Sequence, residues 1–503
     1  MIINGSELNE LPQADICIIG TGPSGLSIAL KLEKSGLTVL LIEAGDLEPS
    51  PESQNLYSGE SVGIKYPLSA SRMRALGGSS NCWGGWCRPI ENIEFSKRDW
   101  LANSSWPISQ EELYSYYKEA GAFLNIEGTD FNAQGFSKKT GKPSLSICEK
   151  SPIMEPIVWQ ISSNTRLGRD YYTHLEKSEK ITLVYNCCAN KLNYEKDKLT
   201  SVNCLATSGK TLAATSESYV LALGALENAR LLLNSELGEN IGGPWVGKGF
   251  MEHPARINGF RVYIPNEHPA FMEEGGGKIA DVPNEKFKIA FGFKLTEKAQ
   301  TENNIMGLWG VFSDPITDLP EAELAQAKYL LGSSNNENTS SGVKAYDVTW
   351  AIEQAPTKQS CLTLDESVDA SGMRKIKLDW KITDLDVKTA NKAQQLIAED
   401  FIERGIGRFR MTNPMTIDSR DLDYGNHHIG TVRMGESINS GVVDKNCKVF
   451  GLSNLYASGS GVFPTSGVTN PTLALTALSL RLADHLTQKN YSNPSKAHNS
   501  SGG

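Results

Sequence analysis

The stretch "ADICIIGTGPSGLSIALKLEKSGLTVLLIEAG", residues 14–45, decides the fold. Its apolar run 16–19 predicts a buried strand, and a second apolar run, 38–42, predicts another. An apolar-periodic segment between the two runs predicts a helix, and glycines in G-x-G-x-x-G spacing precede it at Gly20, Gly22 and Gly25. Together these features predict a complete βαβ unit.

This unit has the features of a dinucleotide site. Glycines allow a tight turn and a close approach of the backbone to a pyrophosphate, which the N–H groups at the helix N-terminus then bind. Glu43 ends the second strand, where its carboxylate can accept hydrogen bonds from ribose hydroxyls. The alternative is a glycine turn that binds nothing, and the unit alone does not distinguish NAD from FAD.

Length and composition limit the class of protein. A chain of 503 residues exceeds a single hydrophobic core, so two or more packed domains are expected. With 39% hydrophobic and 21% charged residues, the composition is that of an ordinary globular protein. The net charge of -9 and the lack of a basic stripe argue against nucleic acid as a partner.

Targeting signals and cysteine spacing favour a cytoplasmic protein. The first twenty residues lack the basic and apolar regions of a signal peptide, and no run of 18 apolar residues predicts a membrane span. The nine cysteines show no paired CxxC spacing, which argues against a disulfide framework and a zinc site. We therefore expect reduced thiols.

Two further motifs suggest binding and catalysis. "SRMRALGGSSNCWGGWCRPIE", 71–91, has four glycines around two tryptophans, a composition that lets backbone lie against a flat ring. "GNHHIGTVRMG", 425–435, contains two of only 7 histidines in the chain. Adjacent side chains diverge, so one histidine is expected to be functional while the other packs. A metal site is not expected, because no further ligands at matched spacing are evident nearby.

With these motifs, the chain resembles the glucose–methanol–choline (GMC) family of FAD-dependent oxidoreductases, and within it the pyranose-oxidase-like bacterial members. The resemblance covers nearly the whole chain. Besides the stretches quoted above, it rests on "YVLALGALENARLLLNSE" (219–236), "VGKGFMEHP" (246–254) and "LYASGSGVFPTSGVTNPTLALTALSLRLADHL" (455–486). It implies an α/β fold in which an FAD-binding Rossmann-like domain is joined to an antiparallel-sheet substrate domain.

The resemblance also implies the catalytic residues. The family pattern H-x-x-G-T selects His427 as the general base, and His428 then occupies a variable position. Asn470, followed by Pro471, has the composition of a helix N-cap and first turn, with a helix to about Leu486. In the family this residue orients the substrate hydroxyl beside the histidine; a cap without a catalytic role is the alternative reading.

The same resemblance implies the cofactor site. FAD is expected to be bound non-covalently, because Cys82 stands where pyranose oxidase has the histidine that is linked to flavin; a cysteinyl link is the lesser alternative. The expected FAD-binding residues are Gly20, Gly22, Pro23, Ser24, Gly25, Glu43, Ala44, Arg74, Gly78, Ser79, Asn81, Cys82, Trp83, Ala189, Ala222, Gly224, Gly459, Ser460 and Thr472.

The pattern of the chain divides it into expected regions. Residues 1–254 are predicted to form the FAD-binding domain, including the flavin-covering segment 71–91. Alternating runs predict an antiparallel-sheet substrate domain over 255–420, with a polar lid at 332–342. Residues 421–490 form a catalytic and FAD-binding segment, and 491–503 a disordered tail.

The expected activity is oxidation of a hydroxyl of a sugar, glycoside or polyol to a carbonyl, with hydride transfer to flavin N5. Trp309, Trp350 and Trp380 are candidates for stacking on a sugar or for the core. The electron acceptor stays open between O₂ and a quinone or redox partner, and so does assembly into a homo-oligomer. A flavin-bound lyase and a non-catalytic FAD-binding protein are the alternative functions.

Overall fold

The structure is a computed structural model that describes residues 1–142, 145–163, 165–238, 240–266, 278–332, 342–412 and 414–491. Within these ranges the strands form four sheets. In the same ranges, no helix combines the length and the apolar surface that crossing a membrane requires. Residues 333–341 of the predicted lid and 492–503 of the predicted tail lie outside the described residues.

A parallel sheet contains the predicted βαβ unit. Its strands, in spatial order, are Ile2–Asn4, Ile181–Tyr185, Val39–Ile42, Ala14–Ile19, Ser216–Leu221 and Leu455–Ala457. Helix Pro23–Lys34 begins with a proline at its first position, where the missing N–H costs nothing. The two predicted strands and the helix are confirmed, and the apolar side chains of both runs are buried, as is typical of strands in a parallel sheet.

Among the described residues, a long antiparallel sheet has eight strands. Its strands, in spatial order, are Arg408–Met411, Ala255–Pro265, Val343–Ile352, Leu308–Phe312, Lys288–Leu295, Met154–Ile161 and Trp86–Cys87, with Ala280–Asp281 paired beside Lys288–Leu295. The predicted range 255–420 therefore supplies only part of this sheet. Two strands enter from residues 86–87 and 154–161, because backbone pairing joins segments that are distant in sequence.

Two smaller sheets complete the strand layers. The short antiparallel sheet contains Cys187–Glu195, Lys198–Ala206 and Thr211–Ala214. The mixed sheet contains Ile429–Thr431, Lys248–Met251, Cys361–Val368, Arg374–Asp379 and Gly59–Ser61. Two strands of the expected substrate domain, 361–368 and 374–379, thus belong to the mixed sheet rather than to the long antiparallel sheet.

Helices cover the sheets and connect their strands. The α-helices are Pro23–Lys34, Pro51–Asn55, Asn92–Phe95, Gln110–Tyr114, Tyr117–Leu124, Ala133–Thr140, Leu167–Lys177, Gly224–Asn234, Glu297–Asn303, Glu321–Leu330, Asp384–Glu403 and Thr472–Tyr491. Short 3₁₀ turns lie at Gly5–Glu7, Gly78–Asn81, Ser146–Cys148, Gly243–Trp245 and Ser460–Val462. The last α-helix begins at residue 472, two residues after the predicted cap Asn470, and continues beyond the predicted end at Leu486.

The first and last helices pack against each other, which joins the two ends of the chain. The hydroxyl of Ser24, in the first turn of Pro23–Lys34, lies 2.7 Å from the hydroxyls of both Ser458 and Ser479. Buried apolar side chains of the parallel and the long antiparallel sheets, such as Ile18 and Phe293, belong to one continuous core. The mixed α/β fold predicted from the sequence is confirmed, and its two main sheets share their interior.

Candidate active site

A cavity of about 760 Å³ opens at the carboxyl ends of the parallel strands. Residues within two positions of the ends of four of these strands line it, namely Gly20, Glu43, Ala222 and Gly459. In open α/β sheets, ligands bind in the crevice at this edge. The position agrees with the dinucleotide site that the glycine spacing predicts.

The structure brings most of the predicted cofactor residues together around this cavity. The predicted residues that line it are Gly20, Gly22, Pro23, Ser24, Glu43, Ala44, Arg74, Gly78, Ser79, Cys82, Trp83, Ala189, Ala222, Gly224, Gly459, Ser460 and Thr472. Gly25 and Asn81 are placed away from the cavity wall. A Cβ at Gly25 would lie 1.9 Å from the Gly20 carbonyl oxygen, so this glycine allows the helix to pack on its own turn. The Asn81 amide instead donates to the carbonyls of Leu76 and Gly78.

Protein donors orient the predicted ribose acceptor, Glu43. Its Oε1 accepts from the backbone N–H of Gly45 at 2.8 Å, and its Oε2 accepts from the N–H of Thr21 at 3.2 Å and from the Thr21 hydroxyl. Burial raises the pKa of this carboxyl. Each carboxylate oxygen has two acceptor sites, so capacity for a ligand hydroxyl remains.

A buried cluster of charges lies beside the same end of the cavity. Glu227 pairs with Arg72 at 2.7 Å and with Arg74 at 3.1 Å, and both guanidinium groups stack on the Tyr57 ring. Despite the burial, the neighbouring arginines lower the pKa of Glu227 to about 2. Arg74 thereby receives a fixed orientation at the cavity wall, where a phosphate-bearing ligand would meet its positive charge.

The two predicted catalytic residues meet at the cavity. Nε2 of His427 lies 3.1 Å from Nδ2 of Asn470, and both residues line the cavity wall. Asn470 is placed just before the helix that begins at Thr472, while His427 precedes the strand Ile429–Thr431. The convergence that the motif predicted is therefore present in the structure.

A second histidine, which the sequence reading missed, contacts the first. In the mixed sheet, Met251 pairs with Ile429 in antiparallel register, so the chain brings residue 253 opposite residue 427. Nδ1 of His253 lies 2.7 Å from Nδ1 of His427, and Nε2 of His253 lies 2.8 Å from the carbonyl oxygen of Gly467. The motif "VGKGFMEHP" contained this histidine, but only the strand register shows what it contacts.

Glu252 holds the backbones of both histidine segments. Its carboxylate accepts from the backbone N–H of His253 at 2.8 Å and from that of His427 at 2.9 and 2.8 Å, while the Tyr66 hydroxyl donates to it at 2.7 Å. Glu252 is fully buried, and this burial raises its pKa to about 7. One carboxyl group thus fixes the relative position of the two imidazoles.

Glu252, His253 and His427 also form a group with the residue types of a metal site. The distance between the two imidazole Nδ1 atoms is 2.7 Å. Two nitrogen ligands bound to one zinc ion at about 2.0–2.1 Å in tetrahedral geometry would stand roughly 3.3 Å apart. The observed spacing is that of a hydrogen bond between the two rings.

His428 makes different contacts from those of His427. Its Nε2 lies 3.1 Å from the Ser71 hydroxyl, and its ring packs edge-on against Tyr66 at a centroid distance of 5.5 Å. Burial lowers its pKa to about 3. The His428 ring lies at the cavity wall, but the histidine that contacts Asn470 is His427. The expectation that His428 packs at the edge of the pocket agrees with these contacts.

Tryptophans of the long antiparallel sheet also line the cavity. Trp86, Trp159 and Trp309 come from three different strands and meet edge to face, with ring centroids 5.4 and 5.3 Å apart. Trp350 and Trp380, two of the candidates for sugar stacking, are fully buried and belong to the core. Of the three tryptophans considered for either stacking or the core, Trp309 alone reaches the cavity wall that the described residues form.

Comparison with known proteins identifies the family. Family models described as GMC oxidoreductase match residues 169–255 and 356–479, and a model of NAD(P)-binding Rossmann-like domains matches 18–47. The chain is a GMC oxidoreductase. The resemblance drawn from the sequence motifs is thereby confirmed, and the matched segments contain both His253 and His427.

Relatives of this GMC oxidoreductase include full-length and partial matches. It is 22% identical to a 2-methyl-1,2-propanediol dehydrogenase of Mycolicibacterium austroafricanum over 95% of this chain and 96% of that protein. It is 32% identical to a C-glycoside 3-oxidase of Microbacterium trichothecenolyticum over 25% of this chain and 24% of that protein. A formate oxidase of Aspergillus oryzae RIB40, studied for its FAD modification, shares the fold with a TM-score of 0.56 at 15% identity, covering 96% of this chain and 100% of that one.

The cavity of this GMC oxidoreductase fits FAD, which is its cofactor. Around the positions that a Cβ would take at Gly22, Gly224 and Gly459, no described atom lies within 4 Å, although all three residues line the cavity. These glycines leave the space that a dinucleotide needs along the backbone. The N-terminus of Pro23–Lys34 has a glycine N-cap without a side-chain hydrogen bond, so its N–H groups are available for a pyrophosphate. The enzyme is an FAD-dependent oxidoreductase that acts on CH–OH groups.

Proposed function

We propose that this enzyme oxidises a hydroxyl of a sugar, glycoside or polyol to a carbonyl, with His427 as general base and Asn470 as the residue that orients the hydroxyl. The observation that carries the proposal is the 3.1 Å distance between Nε2 of His427 and Nδ2 of Asn470 at the wall of the cofactor cavity. A hydroxyl is both donor and acceptor. An imidazole lone pair and an amide N–H side by side complement those two properties.

FAD, when bound, accepts at its N5 the hydride that leaves the substrate carbon. Loss of that hydride requires removal of the hydroxyl proton, and a neutral imidazole is suited to this step. Burial and the neighbouring His253 and His428 lower the pKa of His427 well below its usual value. The ring is therefore neutral at neutral pH, with one nitrogen free to accept a proton.

The positive charge that His427 acquires has a partner within the protein. Glu252 Oε1 lies 4.0 Å from Nδ1 of His427. Because Glu252 is fully buried, the attraction of its ionised form to an imidazolium is screened much less than it would be in water. Glu252 supports charge on the base without contacting the substrate.

The tryptophans favour a substrate with a ring. Trp86 and Trp309 are only partly buried and flank the fully buried Trp159 at the cavity wall. Indole surfaces of this kind contact the apolar C–H face of a pyranose, whereas a small linear alcohol covers little of them. The relatives that act on a diol and on a C-glycoside agree with this range of hydroxyl substrates.

Cofactor attachment and location complete the proposal. FAD is bound non-covalently: the Cys82 thiol donates to the Ser79 carbonyl, and desolvation raises its pKa, which disfavours the reactive thiolate. All nine cysteines lie in the described ranges and are free thiols, which supports a cytoplasmic location.

The relatives include a dehydrogenase and an oxidase, so the acceptor, O₂ or a quinone or redox partner, is decided by experiment, as is assembly into a homo-oligomer.

The test is anaerobic reduction of the purified holoenzyme by a panel of pyranoses, methyl and aryl glycosides, linear polyols and small diols. We expect the flavin absorbance to bleach with cyclic substrates, and admission of air or addition of a quinone then identifies the acceptor. The His427→Ala holoenzyme serves as the matched control. A flavin that no hydroxyl compound reduces would contradict the proposal and favour the lyase or the FAD-binding function instead.

A further inference from the structure

The contacts of His253 define which of its ring nitrogens has a proton. Its Nε2 lies 2.8 Å from the carbonyl oxygen of Gly467, and a carbonyl oxygen only accepts hydrogen bonds. Nε2 therefore carries a proton and donates it. The ring is 1% exposed, and burial lowers its pKa to about 4, so at neutral pH it holds one proton. Its Nδ1 is then a lone pair.

The lone pair of His253 fixes the proton on the next ring. Nδ1 of His253 and Nδ1 of His427 are 2.7 Å apart, a distance that requires a hydrogen between them. Since His253 has no proton to give at this atom, His427 donates from Nδ1. A neutral His427 then has its lone pair on Nε2, which is the atom that lies 3.1 Å from the Asn470 amide. The three hydrogen bonds therefore point the same way. Asn470 donates to His427, His427 donates to His253, and His253 donates to the carbonyl of Gly467.

We propose that His253 is a positioning residue that fixes the tautomer of His427, so that the unprotonated Nε2 of His427 faces the substrate hydroxyl. The inference rests on the proposed function, in which His427 is the base. Without an acceptor at Nδ1, His427 can place its single proton on Nε2, and a ring in that form has no lone pair where the substrate binds.

The proposal extends to the path of the transferred proton. When Nε2 of His427 takes the hydroxyl proton, the ring becomes an imidazolium with its Nδ1 proton already hydrogen-bonded to His253. Transfer of that proton to Nδ1 of His253 moves the positive charge to the second ring and restores a neutral His427. No proton or electron is gained or lost in this shift. Glu252, which contacts both backbones, and Glu353 are the carboxyl groups that favour charge on the pair.

Three substitutions at this position separate the tautomer from simple packing. His253→Phe keeps a ring but removes both nitrogens. His253→Asn keeps an acceptor at the place of Nδ1, whereas His253→Gln reaches the place of Nε2 and the Gly467 carbonyl. We expect His253→Phe and His253→Gln to slow flavin reduction roughly 10- to 100-fold, at unchanged FAD content and with little change in substrate affinity. His253→Asn should retain most of the rate.

A spectroscopic measurement on the oxidised holoenzyme adds a readout that is independent of turnover. A proton held between two imidazole nitrogens gives a far-downfield ¹H NMR resonance, which we expect in the unsubstituted protein. It should disappear in His253→Phe and in His427→Ala. Absence of this resonance from the unsubstituted protein would overturn the proposal.

The kinetic outcomes distinguish this inference from the proposed function. If His427→Ala is slow but His253→Phe reduces its flavin at the normal rate, the tautomer role is refuted and the base assignment stands. If His427→Ala is fully active, the base assignment itself fails. Equal rates for the Asn and Gln variants would assign His253 to packing, and this comparison holds even where the Phe variant does not fold.

Discussion

Nε2 of His427 and Nδ2 of Asn470 lie 3.1 Å apart, although 43 residues separate them in sequence. The two side chains reach the cavity from different directions, one ahead of a strand of the mixed sheet and the other ahead of the last helix. The two side chains place a hydrogen-bond donor beside an acceptor, which matches the hydrogen-bonding capacity of one hydroxyl group. The chemistry of the site follows from this pair.

Replacing His427 with alanine tests the base. Removal of a general base costs roughly 10² to 10⁴ in rate, so flavin reduction by substrate should slow by that factor. FAD should remain bound, because the glycines and Arg74 that we propose as its ligands are unchanged at the cavity wall. Stopped-flow reduction under anaerobic conditions measures the rate, and the flavin-to-protein absorbance ratio is the control. An unchanged rate would remove His427 from the mechanism.

Replacing Asn470 with alanine should have a smaller effect. One neutral hydrogen bond contributes up to about 1.5 kcal/mol, so the reduction rate should fall about tenfold. Asn470→Asp should be no better, because a carboxylate lacks the N–H that the substrate oxygen accepts from. The same stopped-flow measurement applies. Rates equal to those of the unsubstituted enzyme would leave Asn470 with a role only at the helix start.

Two glycine substitutions distinguish cofactor binding from folding. Gly22 has a φ of -65° and an open position for a Cβ, so Gly22→Ala should fold normally. Its methyl group enters the dinucleotide cradle, and a misfit of about 1–3 kcal/mol would weaken FAD binding roughly 5- to 150-fold. Gly25→Ala should instead impair folding, because its Cβ would lie 1.9 Å from the Gly20 oxygen.

These effects are measured by FAD titration of the apoprotein and by circular dichroism. The two variants differ by the same single methyl group, so each is a control for the other. Normal FAD affinity in a well-folded Gly22→Ala protein would show that the cradle of glycines does not contact the dinucleotide.

Trp309→Leu tests the ring-binding wall. A pyranose face that covers about 50 Å² of the indole contributes about 1 kcal/mol, so KM for a cyclic substrate should rise about fivefold. KM for a small linear diol should change little, and kcat should be retained, since the proposed proton transfer uses His427 and Asn470 rather than Trp309. Steady-state kinetics with both substrates provide the comparison. A parallel change for the two substrates would argue against ring stacking.

The buried His428 should make the free energy of unfolding depend on pH. Burial lowers its pKa to about 3, whereas the unfolded chain has a histidine pKa of about 6.5. Unfolding between these values takes up a proton, so the stabilisation is complete above pH 6.5 and is lost as the pH falls toward 3. One such group changes the free energy of unfolding by at most about 1.4 kcal/mol per pH unit.

His428→Phe keeps the aromatic packing against Tyr66 and removes this titration. Between pH 6 and pH 5 the variant should lose less stability than the unsubstituted protein, with a difference of up to about 1.4 kcal/mol. Urea unfolding with FAD in excess measures both proteins. Between pH 7 and pH 8 the free energies of unfolding of the two proteins should change with pH in the same way. If they also fall equally below pH 6, His428 is not buried in its neutral form.

The sequence predicted those parts of the molecule that depend on local pattern. The strands at 16–19 and 38–42 and the following glycines are neighbours in the chain, and the structure places them as predicted. His427 and Asn470 were found because each belongs to a motif of the family. Glu252 and His253 lie within a motif too, yet their contacts depend on the register between strands about 175 residues apart.

The limits of the expected substrate domain could not be read for a similar reason. Alternation of apolar and polar residues shows that a segment is a strand, but it does not show which sheet the strand joins. Trp86 and Trp159 precede the predicted domain, which begins at residue 255, and backbone pairing brings them to the cavity beside Trp309. Gly25 and Asn81 belong to family motifs but do not line the cavity, and the contacts of Gly25 are with its own turn while those of Asn81 are with the carbonyls of Leu76 and Gly78.

The outermost strand of the parallel sheet, Leu455–Ala457, comes from near the end of the chain, and Gly459 follows it. A nascent chain therefore leaves the ribosome with its nucleotide crevice incomplete, with Tyr219 and Val220 on an unpaired sheet edge until residue 457 has emerged. Synthesis at about 5–20 residues per second makes that interval tens of seconds. During it, the exposed edge is a surface that chaperones would protect.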